Sequence, residues 1–348
     1  MLKLYAKSKI LILVSILFIL SSCSSDLSEK INIIHHKNIE NSKDIFWSEV
    51  LTPEYVLSEK LCENLKLDLF EREKATGLIM FDENFLLTDI NNNRLVLFDK
   101  DGNLILEKGN IGNGELEFDA PTAIAKDNNN LYILESGNFR IQILNKDFEF
   151  KEEIDLNDVF ASVLEDEMYF KRCSLWSILI DSKGGIYLSL ADAWQGAESK
   201  VYYISPDRKT YKGIGSYLGG ILLMNDDILY VIERSEYIKG DNENTVEIST
   251  PNGKNNLVKI VDGIVTDTYE LPEMARASGA FIKDNEIYIA YAYKSQIDKF
   301  DLDGKRISTI YKHDSNINVK LNSMIMDESK NIYVVAQSEN LIYKLIKK

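Results

Sequence analysis

The residue types that most often carry catalysis are sparse in this chain of 348 residues. Only three histidines occur, His35, His36 and His313, so the repeated part of the sequence offers no three-histidine zinc site. No serine stands in a G-x-S-x-G turn, which exposes the nucleophile of many hydrolases. The 55 acidic residues show no spacing that singles out metal ligands. The sequence favours a non-enzymatic protein without a cofactor, and a divalent ion held by carboxylates is the alternative.

Two arginines, Arg94 and Arg140, recur 46 residues apart, and each follows an acidic residue by five positions. The structural interpretation is that each guanidinium bonds carbonyls or the acid of its own turn, Asp89 or Glu135, and so fixes a hairpin. The alternative is that both arginines bind an anionic ligand at the surface. The sequence leaves both interpretations open.

Two other turns superficially resemble calcium loops, DKDGN (Asp99–Asn103) and DLDGK (Asp301–Lys305). A twelve-residue calcium loop closes with a glutamate, but Asn110 and Lys312 stand at those positions. We expect ordinary hairpin turns in which the glycine takes a positive φ.

Both arginines belong to a longer repeat. Residues 86–103 (LLTDINNNRLVLFDKDGN) return as residues 132–149 (YILESGNFRIQILNKDFE). Related segments follow along the chain, with equivalent positions spaced 46, 55, 43, 58 and 45 residues apart. These positions are Leu86, Tyr132, Tyr187, Tyr230, Tyr288 and Tyr333. Six copies of about 45 residues indicate a repeat architecture.

Each copy contains short segments rich in Ile, Leu, Val, Tyr and Phe, bounded by Asn, Asp and Gly, as in strands and hairpins. Helical spacing occurs only near Leu156–Leu164 and in the Pro53–Asn64 segment before the repeats. Four strands per copy predict an all-β fold, a six-bladed β-propeller at residues 64–348. The last copy is one strand short. We expect residues 64–70 (NLKLDLF) to complete it and to cover its open edge.

The second copy of the repeat resembles the NHL-repeat family of six-bladed propellers. Residues Gly112–Leu144 have its glycine loop, its Pro-Thr pair before the inner strand and its Gly-Asn-x-Arg turn. The resemblance is specific over residues 75–150 and weakens to a hydrophobic pattern from about residue 175. The whole chain resembles propeller lipoproteins of the Bacteroidetes type. This implies a fold and a location, and the lactonase-type relatives imply a hydrolase or lyase as the alternative function.

The N-terminus has the features of a secretory signal at residues 1–22. Three lysines precede an apolar run, Ile10–Leu20, which is too short to span a bilayer. The following Leu20–Cys23 segment is typical of a lipobox, so we expect Cys23 to carry the lipid and to anchor the protein. Ser24 favours sorting to the outer membrane. Residues 23–63 would form a tether and an extension.

The surface charge excludes some partners. The chain has 40 basic and 55 acidic residues, and loss of residues 1–22 removes three lysines and no acid, which leaves a net charge of −18. Nucleic acid is therefore not an expected partner. Cys62 and Cys173 remain after lipidation of Cys23, and they can form a disulfide in an oxidising compartment or stay as free thiols.

Ligands of such propellers meet the face that carries the turns between the second and third strands of each blade. Two of these turns are lengthened, near Trp194 and near Tyr237–Asn256, and long loops on a rigid scaffold often carry recognition. Aromatic residues and arginine dominate binding sites. The candidate contact residues are Trp194, Tyr217, Tyr291, Tyr293, Arg276, Arg94 and Arg140. The sequence thus favours a membrane-anchored module that binds a protein, peptide or glycan, and a subunit of an envelope complex is a further alternative.

Overall fold

The structure is a computed structural model. It describes residues 53–69, 76–161, 173–192, 201–214, 220–234, 237–239, 246–248, 255–271, 277–291, 294–313 and 319–348. The chain divides into two compact units, Met1–Leu51 and Thr52–Lys348, and all described residues belong to the second. The predicted signal segment, tether and lipid-carrying Cys23 lie outside the described residues.

The described part forms six sheets of four antiparallel strands each, which are the six predicted blades. The first described strand, β1 (Tyr55–Leu61), belongs to the last blade. Blade 1 consists of β2 (Leu78–Phe81), β3 (Asn84–Asp89), β4 (Arg94–Phe98) and β5 (Leu104–Lys108). Blade 2 consists of β6 (Pro121–Lys126), β7 (Asn130–Glu135), β8 (Arg140–Asn145) and β9 (Phe150–Asp155). Blade 3 consists of β10 (Cys173–Ile180), β11 (Ile186–Asp192), β12 (Val201–Ile204) and β13 (Tyr211–Ile214).

Blade 4 has an addition. It consists of β14 (Gly220–Asn225), β15 (Ile228–Arg234), β18 (Asn255–Val261) and β19 (Ile264–Glu270), and its lengthened turn holds a two-stranded hairpin of β16 (Tyr237–Lys239) and β17 (Val246–Ile248). Blade 5 consists of β20 (Ala277–Lys283), β21 (Glu286–Tyr291), β22 (Gln296–Phe300) and β23 (Arg306–Lys312). Blade 6 consists of β24 (Leu321–Met326), β25 (Ile332–Ala336), β26 (Leu341–Lys347) and β1.

Helical structure in the described residues is short. The helix α1 (Leu156–Ala161) begins where helical spacing was predicted, and Glu63–Leu65 and Gln337–Glu339 form 3-10 turns. Within the described residues, no helix has the length and apolar character needed to cross a membrane.

The first strand of each blade lines the centre of a closed ring. Neighbouring inner strands contact each other in the order β2, β6, β10, β14, β20 and β24, and β24 also contacts β2. Hydrophobic clusters of buried side chains fill the spaces between adjacent blades. An open blade would leave such a face exposed to water, so closing the ring buries every blade on both sides.

An N-terminal strand closes the ring as predicted, but the prediction that residues 64–70 form it was wrong. The closing strand is β1, nine residues earlier at Tyr55, and it pairs antiparallel with β26. Residues 64–69 instead follow β1, and Leu67 and Leu69 are buried against blade 1. The propeller therefore begins before the predicted boundary at residue 64, and the helical spacing of Pro53–Asn64 belongs mainly to this strand.

The calcium-like turns are hairpin turns, as expected. In the first, Oδ1 of Asp99 accepts hydrogen bonds from the backbone N–H groups of Asp101 and Asn103, both at 2.9 Å, and Gly102 has a φ of 83°. Oδ1 of Asp301 accepts the equivalent bonds in the second. The carboxylates are occupied in shaping their own turns.

Candidate functional site

One face of the ring carries the turns between second and third strands, and we call it the rim face. The two lengthened turns predicted from the sequence connect β11 to β12 and β15 to β18, and so both are second-to-third turns. The inner strands begin on this same face, because Leu78 at the start of β2 pairs with Leu87 near the end of β3. Pro121 at the start of β6 likewise pairs with Glu135 at the end of β7. The crossings between blades therefore reach the rim face as well.

Arg140 is bound on all sides by the protein. Its Nε donates to Glu135 Oε1 at 2.8 Å, and the two terminal nitrogens donate to Glu153 and to three backbone carbonyls of the preceding crossing, those of Asn113, Gly114 and Glu117. An arginine has five N–H donors, so these five bonds use its full capacity. Its side chain is 6% exposed and that of Glu135 is fully buried.

Arg94 repeats this arrangement in blade 1. Its Nε donates to Asp89 Oδ2 at 2.8 Å, Nη1 to Glu107 at 2.6 Å and Nη2 to the carbonyl of Leu65 at 2.8 Å. Both arginines therefore tie a second-to-third turn to the crossing that precedes it. The structural interpretation of Arg94 and Arg140 is correct for the described residues. The anion-binding alternative is wrong for Arg140, which has no donor left.

The prediction that Tyr291 is a contact residue was wrong. Its side chain is fully buried at the end of β21, where it packs with Tyr230, Ile232 and Leu271 between blades 4 and 5. A side chain inside the ring cannot contact a ligand on the rim face. The other four candidates, Trp194, Tyr217, Tyr293 and Arg276, lie outside the described residues, so their role stays a prediction.

The two cysteines of the ring lie in different blades. Cys62 follows β1, packs against blade 1 and is a free, buried cysteine. Burial raises the pKa of its thiol to about 12, and the charge of Asp99 adds to this. Cys173 begins β10 in blade 3, and its side chain lies outside the described set. Of the two open alternatives, the structure shows the free thiol for Cys62.

A cavity that was not predicted lies on the axis of the ring. It has a volume of about 110 Å³ and is lined by residues from the inner strands of all six blades. The lining comprises Thr76, Gly77, Leu78, Ala123, Ile124, Trp176, Ser177, Ile178, Ile221, Leu222, Ser278, Gly279, Ala280 and Ser323. No charged side chain is among them. The small residues at the starts of β2, β20 and β24 were the available signal.

Hydroxyl groups around this cavity join neighbouring blades. Ser177 accepts a hydrogen bond from the N–H of Leu222 at 3.3 Å, which links blades 3 and 4. Ser278 donates to the carbonyl of Leu321 at 2.6 Å between blades 5 and 6, and Ser323 donates to the carbonyl of Thr76 between blades 6 and 1. These bonds hold the inner strands in a tight ring.

The backbones of blades 5 and 6 lie close together at the centre of the ring. A Cβ atom at Gly279 would lie 2.1 Å from the carbonyl oxygen of Asn322, so a larger residue there would push blades 5 and 6 apart. Among the described residues, no group of three or more His, Cys, Asp or Glu side chains could hold a metal ion. The described part of the channel thus consists of hydroxyl, apolar and backbone groups.

Comparison with known proteins supports the fold. A family model described as a 6-bladed beta-propeller matches residues 68–178. No curated protein matches the chain. The family match and the ring of six blades agree on the architecture.

Several solved structures superpose on most of the chain. A gluconolactonase from Xanthomonas campestris is 13% identical, with a TM-score of 0.54 and coverage of 86% of this chain and 96% of its own. Virginiamycin B lyase from Staphylococcus aureus is 13% identical, with a TM-score of 0.54 and coverage of 85% and 100%. The calcium-binding protein regucalcin from Agrobacterium tumefaciens is 11% identical, with a TM-score of 0.57 and coverage of 85% and 96%. At such low identity these similarities show the fold alone.

Proposed function

We propose that this protein is a lipid-anchored six-bladed β-propeller that binds a protein, peptide or glycan through its rim face and catalyses no reaction. The observation that carries the proposal is the position of the two lengthened turns. Both connect second to third strands, β11 to β12 and β15 to β18, and so both leave and re-enter the ring on the rim face. Long loops on a rigid scaffold are typical of recognition sites.

The ring is suited to present these loops rigidly. Arg94 fixes the crossing that leads into blade 1, and Arg140 fixes the crossing that leads into blade 2. Serine hydroxyls join the inner strands across three blade boundaries. A rigid frame lowers the entropy lost when its loops bind a partner. Recognition through such loops needs no catalytic group in the channel.

Capture of the partner tests the rim assignment. We expect Trp194→Ala with Tyr293→Ala to abolish crosslinked capture from native membranes, because both residues lie in second-to-third turns and aromatic side chains dominate binding energy. The melting temperature should stay nearly unchanged. Lys330→Ala, in the turn between β24 and β25 away from the rim face, is the control and should capture normally. Unchanged capture by the double variant would contradict the rim assignment.

The anchor is tested separately. Lipidation of Cys23 would hold the protein at a bilayer, with outer-membrane sorting expected from Ser24 in a Gram-negative host. Cys23→Ala should move the protein from the membrane fraction to the soluble fraction, whereas Cys62→Ala should leave it in the membrane. Membrane retention of Cys23→Ala would refute the anchor.

The alternatives predict other outcomes. A carboxylate-held divalent ion would support a hydrolase, lactonase or lyase, and elemental analysis together with loss of activity on chelation would reveal it. The described channel residues offer no carboxylate for such an ion. A structural subunit of an envelope complex would co-purify with one partner in fixed stoichiometry.

A further inference from the structure

Most of the exposed apolar side chains lie at one end of the outer strands. Third strands run away from the rim face, so each fourth strand begins at the opposite face, which we call the base face. Seven large apolar side chains are exposed among the described residues, and only Ile111 lies elsewhere, in the crossing from blade 1 to blade 2. We call the other six the apolar arc: Val56, Leu104, Ile105, Ile264, Val265 and Ile307.

The apolar arc covers four neighbouring blades, in the order 4, 5, 6 and 1. Ile105 and Ile307 occupy the same position, the extra residue of a bulge opposite the last residues of the third strand. In blade 2 this bulge position holds Lys151. A lysine on an outer strand is a common protection against unwanted contact. Blade 2 therefore has a charge at the place where blades 1 and 5 present an apolar side chain.

The positions of these side chains favour a flat partner. Leu104 and Ile264 pair with the last residues of their third strands, and Val56 pairs with the last residue but one, so they lie at one level of the ring. They are carried by separate blades, whereas the core of a protein interface is one continuous buried patch. A lipid bilayer would touch all of them at once, and it stabilises apolar side chains at the boundary between headgroups and acyl chains.

The direction of β1 points to the same partner. β1 begins at the base face, because Tyr55 pairs with Lys347 at the end of β26. The chain that follows Cys23 therefore joins the ring on this face, next to Val56. The proposed lipid anchor is thus connected to the ring on the side where the apolar arc lies.

The charge of the base face limits the kind of lipid. Every described turn between first and second strands, and between third and fourth strands, contains at least one aspartate. Examples are Asp82, Asp99, Asp262 and Asp301. Anionic headgroups would be repelled by these carboxylates, and the repulsion would be strongest at low salt. The base face therefore suits lipids without net charge.

We propose that the apolar arc lies on the surface of a bilayer of zwitterionic lipid, so that the base face meets the membrane and the rim face points away from it. This inference rests on the proposed lipid anchor, and it adds the contact surface, the class of lipid and the orientation. Blades 4, 5, 6 and 1 lie nearest the bilayer, and the ring tilts so that Lys151 of blade 2 stays farther from it.

Fluorescent probes on the lipidated protein test this orientation. The protein is reconstituted with phosphatidylcholine vesicles and carries the environment-sensitive fluorophore NBD on one introduced cysteine. Ile105→Cys, Ile264→Cys and Ile307→Cys place the probe on the apolar arc. Lys151→Cys is the matched control in blade 2, and Ile111→Cys is the control for an exposed apolar residue elsewhere. Wild-type protein treated with the same reagent gives the background from Cys62 and Cys173.

We expect the emission of the three arc probes to shift to shorter wavelength and to be quenched by lipid that is spin-labelled near the headgroup. The Lys151→Cys probe should shift less and the Ile111→Cys probe should not shift. Vesicles of equal parts phosphatidylcholine and phosphatidylglycerol should reduce the shift of the arc probes at low salt. All five sites are exposed or on the surface, so folding should be unaffected.

Four results would overturn the proposal. Equal shifts at all five sites, or unshifted arc probes on protein that is bound to the vesicles, would refute the orientation. A larger shift with phosphatidylglycerol would refute the class of lipid. A shift of the arc probes without vesicles that grows with the concentration of unlipidated Cys23→Ala protein would assign the arc to a second copy. Failure of the anchor is distinguishable, because the protein would then not stay with the vesicles, and the rim function fails on partner capture.

Discussion

The two repeated arginines occupy equivalent positions but differ in burial and in the number of hydrogen bonds they make. The side chain of Arg140 is 6% exposed and donates five hydrogen bonds, whereas that of Arg94 is 20% exposed and donates three. The acid beside each is fully buried. Removal of the arginine leaves a buried carboxylate without its counter-charge, so the cost follows from the depth of burial.

We predict that Arg140→Ala lowers the free energy of unfolding by about 3–5 kcal/mol, because the buried Glu135 loses its counter-charge. Arg94→Ala should cost less, since solvent reaches its site. Urea unfolding of the purified variants measures both. Glu153→Gln, which loses only the 43% exposed partner of Arg140, should cost less than about 1 kcal/mol. Equal losses in all three variants would contradict this account.

Single residues were also where prediction failed. Tyr291 has the residue type expected at a binding site, but an aromatic side chain at the end of a strand serves equally to fill the space between blades. The alternation of side chains along β21 decides between these roles, and Tyr291 lies on the side that packs against blade 4. Only the register of the strand fixes that side.

At the level of elements, β1 shows why a strand can be mistaken for a helix. Tyr55, Leu57 and Leu61 have helical spacing, but a bulge at Ser58 shifts the register between Leu57 and Glu59. Tyr55 and Leu57 therefore pack between blades 5 and 6, and Leu61 packs on the other face against blade 1. A bulge breaks the two-residue period by which strands are recognised.

Truncation tests the role of β1. Protein comprising residues 53–348 should melt cooperatively near the temperature of the longer protein. Protein comprising residues 62–348 should melt far lower, because β26 then becomes an open edge and Tyr55 and Leu61 no longer cover their clusters. Differential scanning calorimetry measures both. Similar melting of the two proteins would show that β1 does not close the ring.

Across the whole molecule, a tyrosine recurs at one position in five of the six blades, buried in blades 2, 4, 5 and 6 and half-buried in blade 3. These tyrosines lie at equivalent places in the second strands of blades 2 to 6 and are Tyr132, Tyr187, Tyr230, Tyr288 and Tyr333. Burial, with a nearby carboxylate, raises the pKa of each phenol above its ordinary value of 10.0. The folded ring therefore keeps these protons at a pH where the unfolded chain loses them.

This predicts alkaline sensitivity. Stability from these tyrosines is complete below about pH 10 and is lost as the pH rises toward the raised values, because unfolding then releases protons. The pKa of Tyr187 is raised to about 12. The slope of the unfolding free energy against pH gives the number of protons released on unfolding. Between pH 10 and pH 12, Tyr187→Phe should lower that number by up to about one, as measured by urea unfolding at several pH values. An unchanged slope would contradict the shift.

The local sequence determined the strands, the turns and their number. Alternating apolar residues, Asp and Asn turns and the 46-residue echo of Arg94 in Arg140 depend on neighbours along the chain, so they can be read without a structure. The acid five positions before each arginine made a structural role one of two open interpretations, and the hydrogen bonds of the folded ring decided between them. These features gave the six blades and located the rim turns.

Only the tertiary structure decided which residues meet across the ring. The pairing of β1 with β26, the burial of Tyr291 and the cavity that joins Thr76 to Ser323 all bring together residues that are far apart in sequence. Such contacts depend on register, on bulges and on the close approach of backbones at Gly279, and local patterns do not encode them. The sequence determined a ring of six blades, and the packing of that ring decided which side chains line its centre.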